Sequence, residues 1–338
     1  AADQGKTSNM NALAIMAELR GISIPAAGTT RFRAPYKPVA LGTLAGRNIG
    51  NHYKVKRVTP MHDWHIDHGA EMIEAGIWYR PRVYKKPGET LEEAYVREAT
   101  AVRNSVGIVD VTSLGKIDVQ GPDAAEFLNR VYVNPFLKVP VGKARYGVML
   151  REDGYLFDDG TSWRLSENQF LMTTTTANAA SVLSELERLL TLVWPNLKVH
   201  VSSVTDQWAG MAVAGPKSRD VLVKIIDDID FSEKGLPHMA IADGRIGKIP
   251  VKVARLSFSG ERAYEIYKGA SHGKAVWKAV IEAGKSYDIV PYGTEALGTL
   301  RIEKGHISGP ELDGRTTMND LGLGKINSIY DYKIRTFS

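Results

Sequence analysis

An internal repeat restricts the folds that this chain can adopt. The sequence VQGPDAAEFL at residues 119–128 is echoed by VAGPKSRDVL at residues 213–222. Each copy is typical of a strand, a Gly-Pro pair and a helix with proline near its first turn, where the missing proline N–H costs no hydrogen bond. Because strand-rich sequence follows each copy, the repeat predicts two similar α+β halves that pack as one unit, with a ligand site between them.

Composition divides the chain into three parts. Its 338 residues are enough for two domain-sized units and a large core. Apart from one short helical stretch, residues 1–58 are rich in glycine, proline and basic side chains, which predicts an extended arm or linker from an upstream domain. Residues 59–200 and 201–338 are predicted to be the first and second halves of one folded domain, since each holds one copy of the repeat.

The residue inventory excludes several classes of protein. The sequence has no cysteines, which rules out disulfides, thiolate metal sites and cysteine nucleophiles. The net charge of +5 is mild and the basic residues are scattered, so we expect a small acidic ligand or an acidic partner surface rather than nucleic acid. No apolar run could span a bilayer and nothing at the N-terminus resembles a signal peptide. The expectation is a cytoplasmic protein without a membrane partner.

Motifs for tightly held nucleotides and for serine esterases are missing as well. No G-x-G-x-x-G follows a strand, and neither G-x-x-x-x-G-K-[ST] nor G-x-S-x-G occurs. These absences argue against redox chemistry on a nucleotide held by this chain, against nucleotide hydrolysis and against serine esterase activity.

An acidic pair at the end of an apolar strand is the main candidate for chemistry in the first half. Successive side chains of a strand point to opposite faces, so Tyr155, Phe157 and Asp159 are predicted to share one face, and Leu156 and Asp158 the other. A carboxylate on the aromatic face would be partly desolvated, which suits acid–base or charge-stabilising work. The alternative interpretation is that Asp-Asp-Gly only ends a strand.

Three histidines at intervals of three residues raise the question of a metal site. His62, His65 and His68 drift around the surface of a helix at this spacing, and no carboxylate motif completes a known ligand set. We therefore expect no metal and interpret these histidines as packing and surface residues, with a metal site as the alternative.

Local signals also predict individual helix and strand boundaries. Thr90 and Glu93 form a capping box at the start of a helix that continues to Asn104, and Gly107 is predicted to be its C-terminal cap. In the second half, residues 244–249 and 251–258 are predicted to form a hairpin.

Several segments taken in order resemble a known family. They are GIVDVTSLGKIDVQGPDAAEFLNRVYVN, YGVMLREDGYLFDD, the second Gly-Pro pair, RLSFSGERAYEI and LRIEKG. Together they are similar to the folate-binding domain of the aminomethyltransferase (glycine-cleavage T-protein) family. The resemblance implies an α+β fold of duplicated α/β subdomains, with the family's C-terminal β-barrel largely absent from this sequence. The segments TPMHDWHIDHGA, VRNSVGIVD and RIEKGHISG are more similar to the C-terminal part of the alpha subunit in the family's heterotetrameric sarcosine oxidase branch.

The resemblance implies a function in one-carbon transfer. The family binds tetrahydrofolate and moves a one-carbon unit onto it from an amine-bound iminium. In the sarcosine oxidase branch, flavin in a partner beta subunit oxidises sarcosine, and the imine reaches the folate site to give glycine and methylene-tetrahydrofolate. Flavin and NAD are accordingly expected only in other domains or subunits. The alternatives are a glycine-cleavage-type aminomethyltransferase, another tetrahydrofolate-dependent demethylase, or a non-catalytic folate-binding scaffold.

The resemblance also assigns candidate site residues. Asp159 matches the family's catalytic aspartate, Tyr146 a tyrosine that contacts folate, and Glu265 the glutamate that pairs with the pterin ring. Phe258 replaces a tyrosine that flanks the pterin, which keeps stacking but loses the hydroxyl. Thr175 stands where the T-protein has an asparagine, and is therefore a candidate polar contact to folate. No arginine occupies the position where the T-protein meets the folate tail.

Overall fold

The computed structural model describes residues 7–23, 26 and 56–323 of the chain. The chain forms two compact units, residues 1–56 and 57–338. In the first unit the helix α1 spans Thr7–Arg20. Most of the arm predicted for residues 1–58 lies outside the described residues.

The second unit alternates helices and strands from residue 57 to residue 323. Its helices are α2 (His62–Asp67), α3 (Leu91–Asn104), α4 (Ala124–Val131), α5 (Ala179–Arg188), α6 (Ser218–Leu222), α7 (Gly273–Gly284) and α8 (Thr294–Lys304). Its strands are β1 (Ala70–Ala75), β2 (Trp78–Tyr84), β3 (Gly107–Asp110), β4 (Gly115–Gln120), β5 (Lys143–Leu150), β6 (Leu156–Ser166), β7 (Gln169–Thr174), β8 (His200–Ser203), β9 (Trp208–Ala214), β10 (Ile241–Ile246), β11 (Ile249–Ala254), β12 (Ala263–Gly269) and β13 (Val290–Pro291). Among the described residues, no helix is long and apolar enough to cross a membrane.

The sheet topology reproduces the internal repeat. The strand order is β5-β6-β7-β4-β8 in one sheet and β10-β11-β12-β9-β3-β13 in another, while β1 and β2 form a separate hairpin. The first copy of the repeat supplies β4, α4, β5 to β7 and α5, and the second supplies β9, α6, β10 to β12 and α7 in the same order. The predicted duplication of α/β subdomains is thus confirmed, and none of these three sheets closes into a barrel.

The two halves exchange one strand each. β3 precedes the first copy in the chain, yet it pairs with β9 of the second copy. β8 precedes the second copy, yet it pairs with β4 of the first. The predicted boundary between residues 200 and 201 falls within β8, so the second half of the chain completes the sheet of the first. Neither sheet can form fully without residues from both halves.

Each Gly-Pro turn lies against the segment that leads into the exchanged strand of its sheet. Gly121 and Gly215 have φ angles of +143° and +126°, conformations that L side chains rarely adopt. A Cβ at Gly121 would overlap the carbonyl group of Lys198, just before β8, and a Cβ at Gly215 would overlap that of Ser105, just before β3. The two equivalent glycines therefore leave room for the chain to pass into β8 in one sheet and into β3 in the other.

Helices cover the outer faces of the two large sheets, while the inner faces meet. Phe127 of α4 and Leu186 of α5 pack with strand residues such as Met172 in one apolar cluster. The helices α6 and α7 cover the six-stranded sheet in the same way. On the inner side, Trp163 of β6 and Tyr267 of β12 contact each other edge to face, with ring centroids 4.7 Å apart. Further along the inner face of the six-stranded sheet, α3 and α8 take over the packing.

The capping box at the start of α3 is confirmed. The Thr90 hydroxyl accepts from the Glu93 N–H at 3.2 Å, and the Glu93 carboxylate accepts from the Thr90 N–H at 2.9 Å. Two free N–H groups at the helix start are thereby satisfied, a contribution of about 1 kcal/mol.

Two predicted boundaries are wrong. Gly107 does not cap α3: the helix ends at Asn104 with Ser105 as its cap, and Gly107 begins β3, where a Cβ would collide with Val102 and Tyr292. In the second half the predicted hairpin is confirmed, but it turns at Gly247, which has φ +58°, so the predicted strand 244–249 runs through the turn.

Candidate functional site

A bulge in β6 decides which way the acidic pair points. Met149 pairs with Asp158 and Leu150 with Leu156, so Phe157 is an extra residue in the ladder. As a result Leu156 packs on the inner face beside Tyr146, whereas Phe157 packs with the cluster beneath the helices. The prediction that Tyr155 and Phe157 share a face with Asp159 is therefore wrong, because strict alternation fails at a bulge.

The aromatic residue next to Asp159 is Tyr146 of β5 rather than Tyr155 or Phe157. Its hydroxyl donates to Asp159 Oδ2 at 2.9 Å, and among the described residues no other side chain donates to this carboxylate. Burial raises the pKa of Asp159 to about 7, and the charge of Asp158 adds to the rise. The Tyr146 hydrogen bond opposes it. Asp159 is thus a carboxyl group that titrates near neutral pH and keeps acceptor capacity for a ligand.

Asp158 is committed to the fold. It is 1% exposed and accepts from the Thr175 hydroxyl at 2.6 Å, from the Thr175 N–H at 3.2 Å and from the Asn178 amide at 3.3 Å. Burial raises its pKa to about 6, while these donors pull the value down. The two neighbouring acids therefore have different roles. Asp158 links β6 to the start of α5, whereas Asp159 faces inward, and Tyr146 is its side-chain partner among the described residues.

Glu265 lies on the inner face of β12. Its neighbours Tyr264 and Ile266 are fully buried against the helices on the other side, as the alternation predicts. Its cross-strand partners are Ala212 and Ala254, whose small side chains leave space above the carboxylate. Burial raises the pKa of Glu265 to about 7, and Tyr267 and Lys116 oppose the rise.

The two acids lie on the facing sides of the two sheets. Asp159 and Trp163 lie on one face of β6, because they are four residues apart in a regular stretch of the ladder, and Trp163 touches Tyr267, two residues from Glu265. The 3₁₀ turn Gly309–Glu311 is close as well, since the charge of Glu311 raises the pKa of Asp159. Arg301 of α8 fixes this turn by bonding Glu311 at 2.7 Å.

Comparison with known proteins identifies the fold family. Residues 61–329 match the GCVT N-terminal domain family. This chain belongs to that family. An aminomethyltransferase of Thermotoga neapolitana is 31% identical over 266 residues, which cover 78% of this chain and 69% of that protein. The crystal structure of aminomethyltransferase T from Bartonella henselae superposes with a TM-score of 0.68 at 23% identity, covering 82% of this chain and 71% of that one, which supports the shared fold.

A higher identity links this GCVT-family chain to the sarcosine oxidase branch. Sarcosine oxidase subunit alpha of Rhizobium meliloti is 50% identical over 331 residues, or 97% of this chain. Residues 1–47 match the sarcosine oxidase A3 domain. The resemblance seen in the sequence is thereby confirmed. The chain spans about a third of the length of that relative, 33%.

The structure gives weaker support to the other candidate site residues from the GCVT-family resemblance. Phe258 is 36% exposed in the loop between β11 and β12, where its ring stacks on His306 at 5.8 Å. The hydroxyl of Thr175 donates its hydrogen to Asp158, so in its predicted contact to folate it could act only as an acceptor. Leu297, where the T-protein has an arginine, packs into the cluster of α3 and α8.

Lys116 of β4 is a buried residue that no sequence motif indicated. This lysine is fully buried, and its ammonium lies 5.5 Å from the centre of the Tyr267 ring, on the inner side of both sheets. A lysine at an alternate strand position normally points to solvent, so the local pattern carries no warning. The small residues opposite Tyr267 and Glu265, Gly210 and Ala212, are the one signal that could have indicated space at this face.

The three histidines do not converge. His65 is buried, with Nε2 3.0 Å from Asp110 Oδ2 and Nδ1 2.8 Å from the Tyr84 hydroxyl. His68 bonds the Trp64 carbonyl oxygen, and His62 stacks on Tyr79. Among the residues that the structure describes, no group of three potential ligands could hold a metal ion.

Removing the Tyr146 hydroxyl tests the electrostatics of the acid pair. Tyr146→Phe deletes the side-chain hydrogen bond that lowers the pKa of Asp159, so the value rises above about 7. Carbon-13 NMR titration of the aspartate carboxyls measures this shift, with Asp159→Asn to assign the signal. Tyr155→Phe is the matched control, because Tyr155 lies next to the bulge but does not bond Asp159. An unchanged midpoint in Tyr146→Phe would contradict the geometry.

Proposed function

We propose that this chain is the folate-binding, one-carbon acceptor part of a sarcosine oxidase alpha subunit. In this proposal it moves the one-carbon unit of the imine of oxidised sarcosine onto tetrahydrofolate, giving methylene-tetrahydrofolate and glycine. The observation that carries it is the inward acid Asp159, which lies on the side of β6 that faces the sheet of Glu265. Its pKa is raised to about 7, and Tyr146 is its one side-chain partner within the described part of the chain. The 50% identity to the Rhizobium meliloti subunit supports the choice of branch.

Glu265 suits recognition of a flat heterocycle. A carboxylate offers two acceptors in one plane, which match two adjacent N–H donors of a pterin ring. The small residues Ala212 and Ala254 beside it leave room for such a ring. Glutamate in this position would fix the ring by a bidentate contact that a glutamine cannot reproduce, since the amide N–H₂ would face a donor.

Asp159 suits the transfer step. As a carboxylate, it can stabilise the positive charge of an iminium and accept the proton that a folate amine loses when its nitrogen bonds the one-carbon unit. Returned to the glycine nitrogen as its bond to carbon breaks, the same proton would release glycine, while the second folate nitrogen bonds the carbon and gives its own proton to the departing amine. Tyr146 orients the carboxylate through its hydroxyl. We assign the oxidation itself to a flavin-containing beta subunit and place flavin and NAD in other domains or subunits.

A second candidate function shares the acceptor site but uses another donor. The 31% identity over 69% of the Thermotoga neapolitana aminomethyltransferase is compatible with a carrier-bound aminomethyl donor. Supplying sarcosine with the flavin subunit, or an aminomethylated carrier, and assaying methylene-tetrahydrofolate separates the two donors.

Calorimetric titration of tetrahydrofolate tests the binding half of the proposal. Glu265→Gln is expected to weaken binding by about 10- to 100-fold, because a hydrogen bond to a charged group is worth about 1.5–3 kcal/mol. Glu282→Gln on the exposed side of α7 is the matched control and should bind as the wild type does. Wild-type protein that binds no folate, even with its partner subunits present, would support the scaffold alternative.

A further inference from the structure

Lys116 is a buried ammonium group between the two sheets. Its side chain is fully buried, and Nζ donates to the carbonyl oxygens of Thr112 at 2.6 Å and Leu114 at 2.8 Å. An ammonium group has three N–H donors, and two acceptors at this distance favour its charged form. These bonds hold the head of the side chain in one place.

The other side of this ammonium faces β12. Nζ lies 5.5 Å from the centre of the Tyr267 ring, and Glu265 is the acid two residues away on the same face of that strand. The charge on Lys116 lowers the pKa of Glu265, and the charge on Glu265 raises the pKa of Lys116, so the two groups interact electrostatically. Protonated Lys116 is therefore a cation in the first sheet that acts on a carboxylate in the second.

A row of polar groups stands behind Lys116. The backbone of Thr112 lies between two charges, because its N–H donates to Asp110 Oδ1 at 2.9 Å while its carbonyl oxygen accepts from Lys116. Asp110 is held in turn by His65 at 3.0 Å, whose other ring nitrogen meets the Tyr84 hydroxyl. Burial raises the pKa of Asp110, but its hydrogen bonds outweigh that effect and keep it low, so a negative charge stands behind the lysine.

We propose that Lys116 is a positioning residue that keeps Glu265 ionised and thereby sets the lowest pH at which the site recognises its heterocycle. The inference rests on the proposed function for the identity of the ligand. Protonated Glu265 would present a hydroxyl donor in place of one acceptor, and a ring with two adjacent N–H donors would lose half of its match.

The charged groups around the pair define the direction of the effect. Burial lowers the pKa of Lys116 to about 7, Asp110, Glu265 and Asp206 oppose this fall, and Arg80 adds to it. Burial raises the pKa of Glu265 to about 7, against the influence of Tyr267 and Lys116. Removing the lysine charge removes one of those two opposing influences, so Glu265 should hold its proton to higher pH.

Carbon-13 NMR titration of glutamate carboxyls in the ligand-free protein tests the inference directly. Glu265→Gln assigns the signal. Lys116→Met is expected to raise the Glu265 midpoint by about 1 unit or more, the usual effect of removing an opposite charge nearby. Lys116→Gln, which keeps polar atoms but no charge, should do the same if the methionine variant folds poorly. Lys278→Met, on the exposed side of α7, changes net charge equally and should leave the midpoint in place.

The pH profile of folate binding supplies the second readout. Affinity for 5-formyl-tetrahydrofolate, measured by calorimetry, should fall in the wild type as pH drops through about 7, and in Lys116→Met at a higher pH. With Glu265→Gln that fall should disappear, and adding Lys116→Met should change nothing further. A Glu265 midpoint unmoved by both Lys116 variants overturns the inference while folate binding stands. Absence of folate binding with a shifted midpoint overturns the proposed ligand, and the Lys116–Glu265 coupling stands.

Discussion

Asp159→Asn is expected to lower the rate of methylene-tetrahydrofolate formation in the assembled enzyme by about 10²–10⁴-fold, the usual contribution of a positioned acid–base group. Asparagine fills nearly the same space and still accepts from the Tyr146 hydroxyl, so folate affinity should change by only about 3-fold. The asparagine neither carries a negative charge beside an iminium nor takes up a proton. Single-turnover assays with sarcosine and tetrahydrofolate measure the step, with calorimetry for binding.

The pH dependence of the free energy of unfolding shows whether Asp159→Asn removes only the titrating carboxyl group or also damages the fold. The folded-state pKa of Asp159 is raised to about 7 from an ordinary value of 3.8, so the unfolded chain gives up this proton first. Stability of the wild type should therefore fall as pH rises through the window between those values. Asp159→Asn has no proton to lose, so its stability should fall less over that window and exceed that of the wild type at about pH 8.

Asp63→Asn is the matched control, because Asp63 is an exposed acid on α2. It should keep the full rate of transfer and the pH dependence of the wild type. Full transfer activity in Asp159→Asn would refute the assignment of Asp159 as the group that acts on the one-carbon unit. Loss of both stability and folate affinity in that variant would instead indicate a structural carboxylate, like that of Asp158.

Much of the fold could be predicted because its signals are local or repeated. The Gly-Pro pairs mark equivalent turns in two sheets of the same strand order, and Thr90 with Glu93 marks a helix start. Each of these features depends on a few residues that are neighbours in the sequence, and their side chains determine the local backbone geometry. Alternation likewise placed Glu265 opposite Tyr264 and Ile266.

The features that could not be predicted depend on residues distant in sequence. The bulge in β6 inserts Phe157 next to Leu156, and since both are apolar, either can be buried on either face without changing the pattern. The strand exchange of β3 and β8 needs long-range pairing that no local propensity encodes. Lys116 could not be recognised for the same reason, because Tyr267, whose ring packs near its ammonium, lies more than a hundred positions away in the sequence.

The strand exchange also gives the prediction with the largest expected effect on stability. Gly121→Ala and Gly215→Ala are each expected to lower the free energy of unfolding by about 2–5 kcal/mol. Each adds the strain of a positive φ to a Cβ overlap with a backbone carbonyl that cannot rotate away. Denaturant unfolding followed by circular dichroism measures the loss.

Gly154→Ala isolates the overlap from the strain. Gly154 has φ +85° in the turn between β5 and β6, and a Cβ there would meet no atom within 4 Å. Its substitution should cost about 1–2 kcal/mol from backbone strain alone. Equal losses at all three glycines would mean that the crossings yield to accommodate a methyl group. Larger losses at Gly121 and Gly215 would mean that the exchanged strands hold the two sheets, and with them Asp159 and Glu265, in a fixed relation, because the chain entering β8 or β3 has no alternative path.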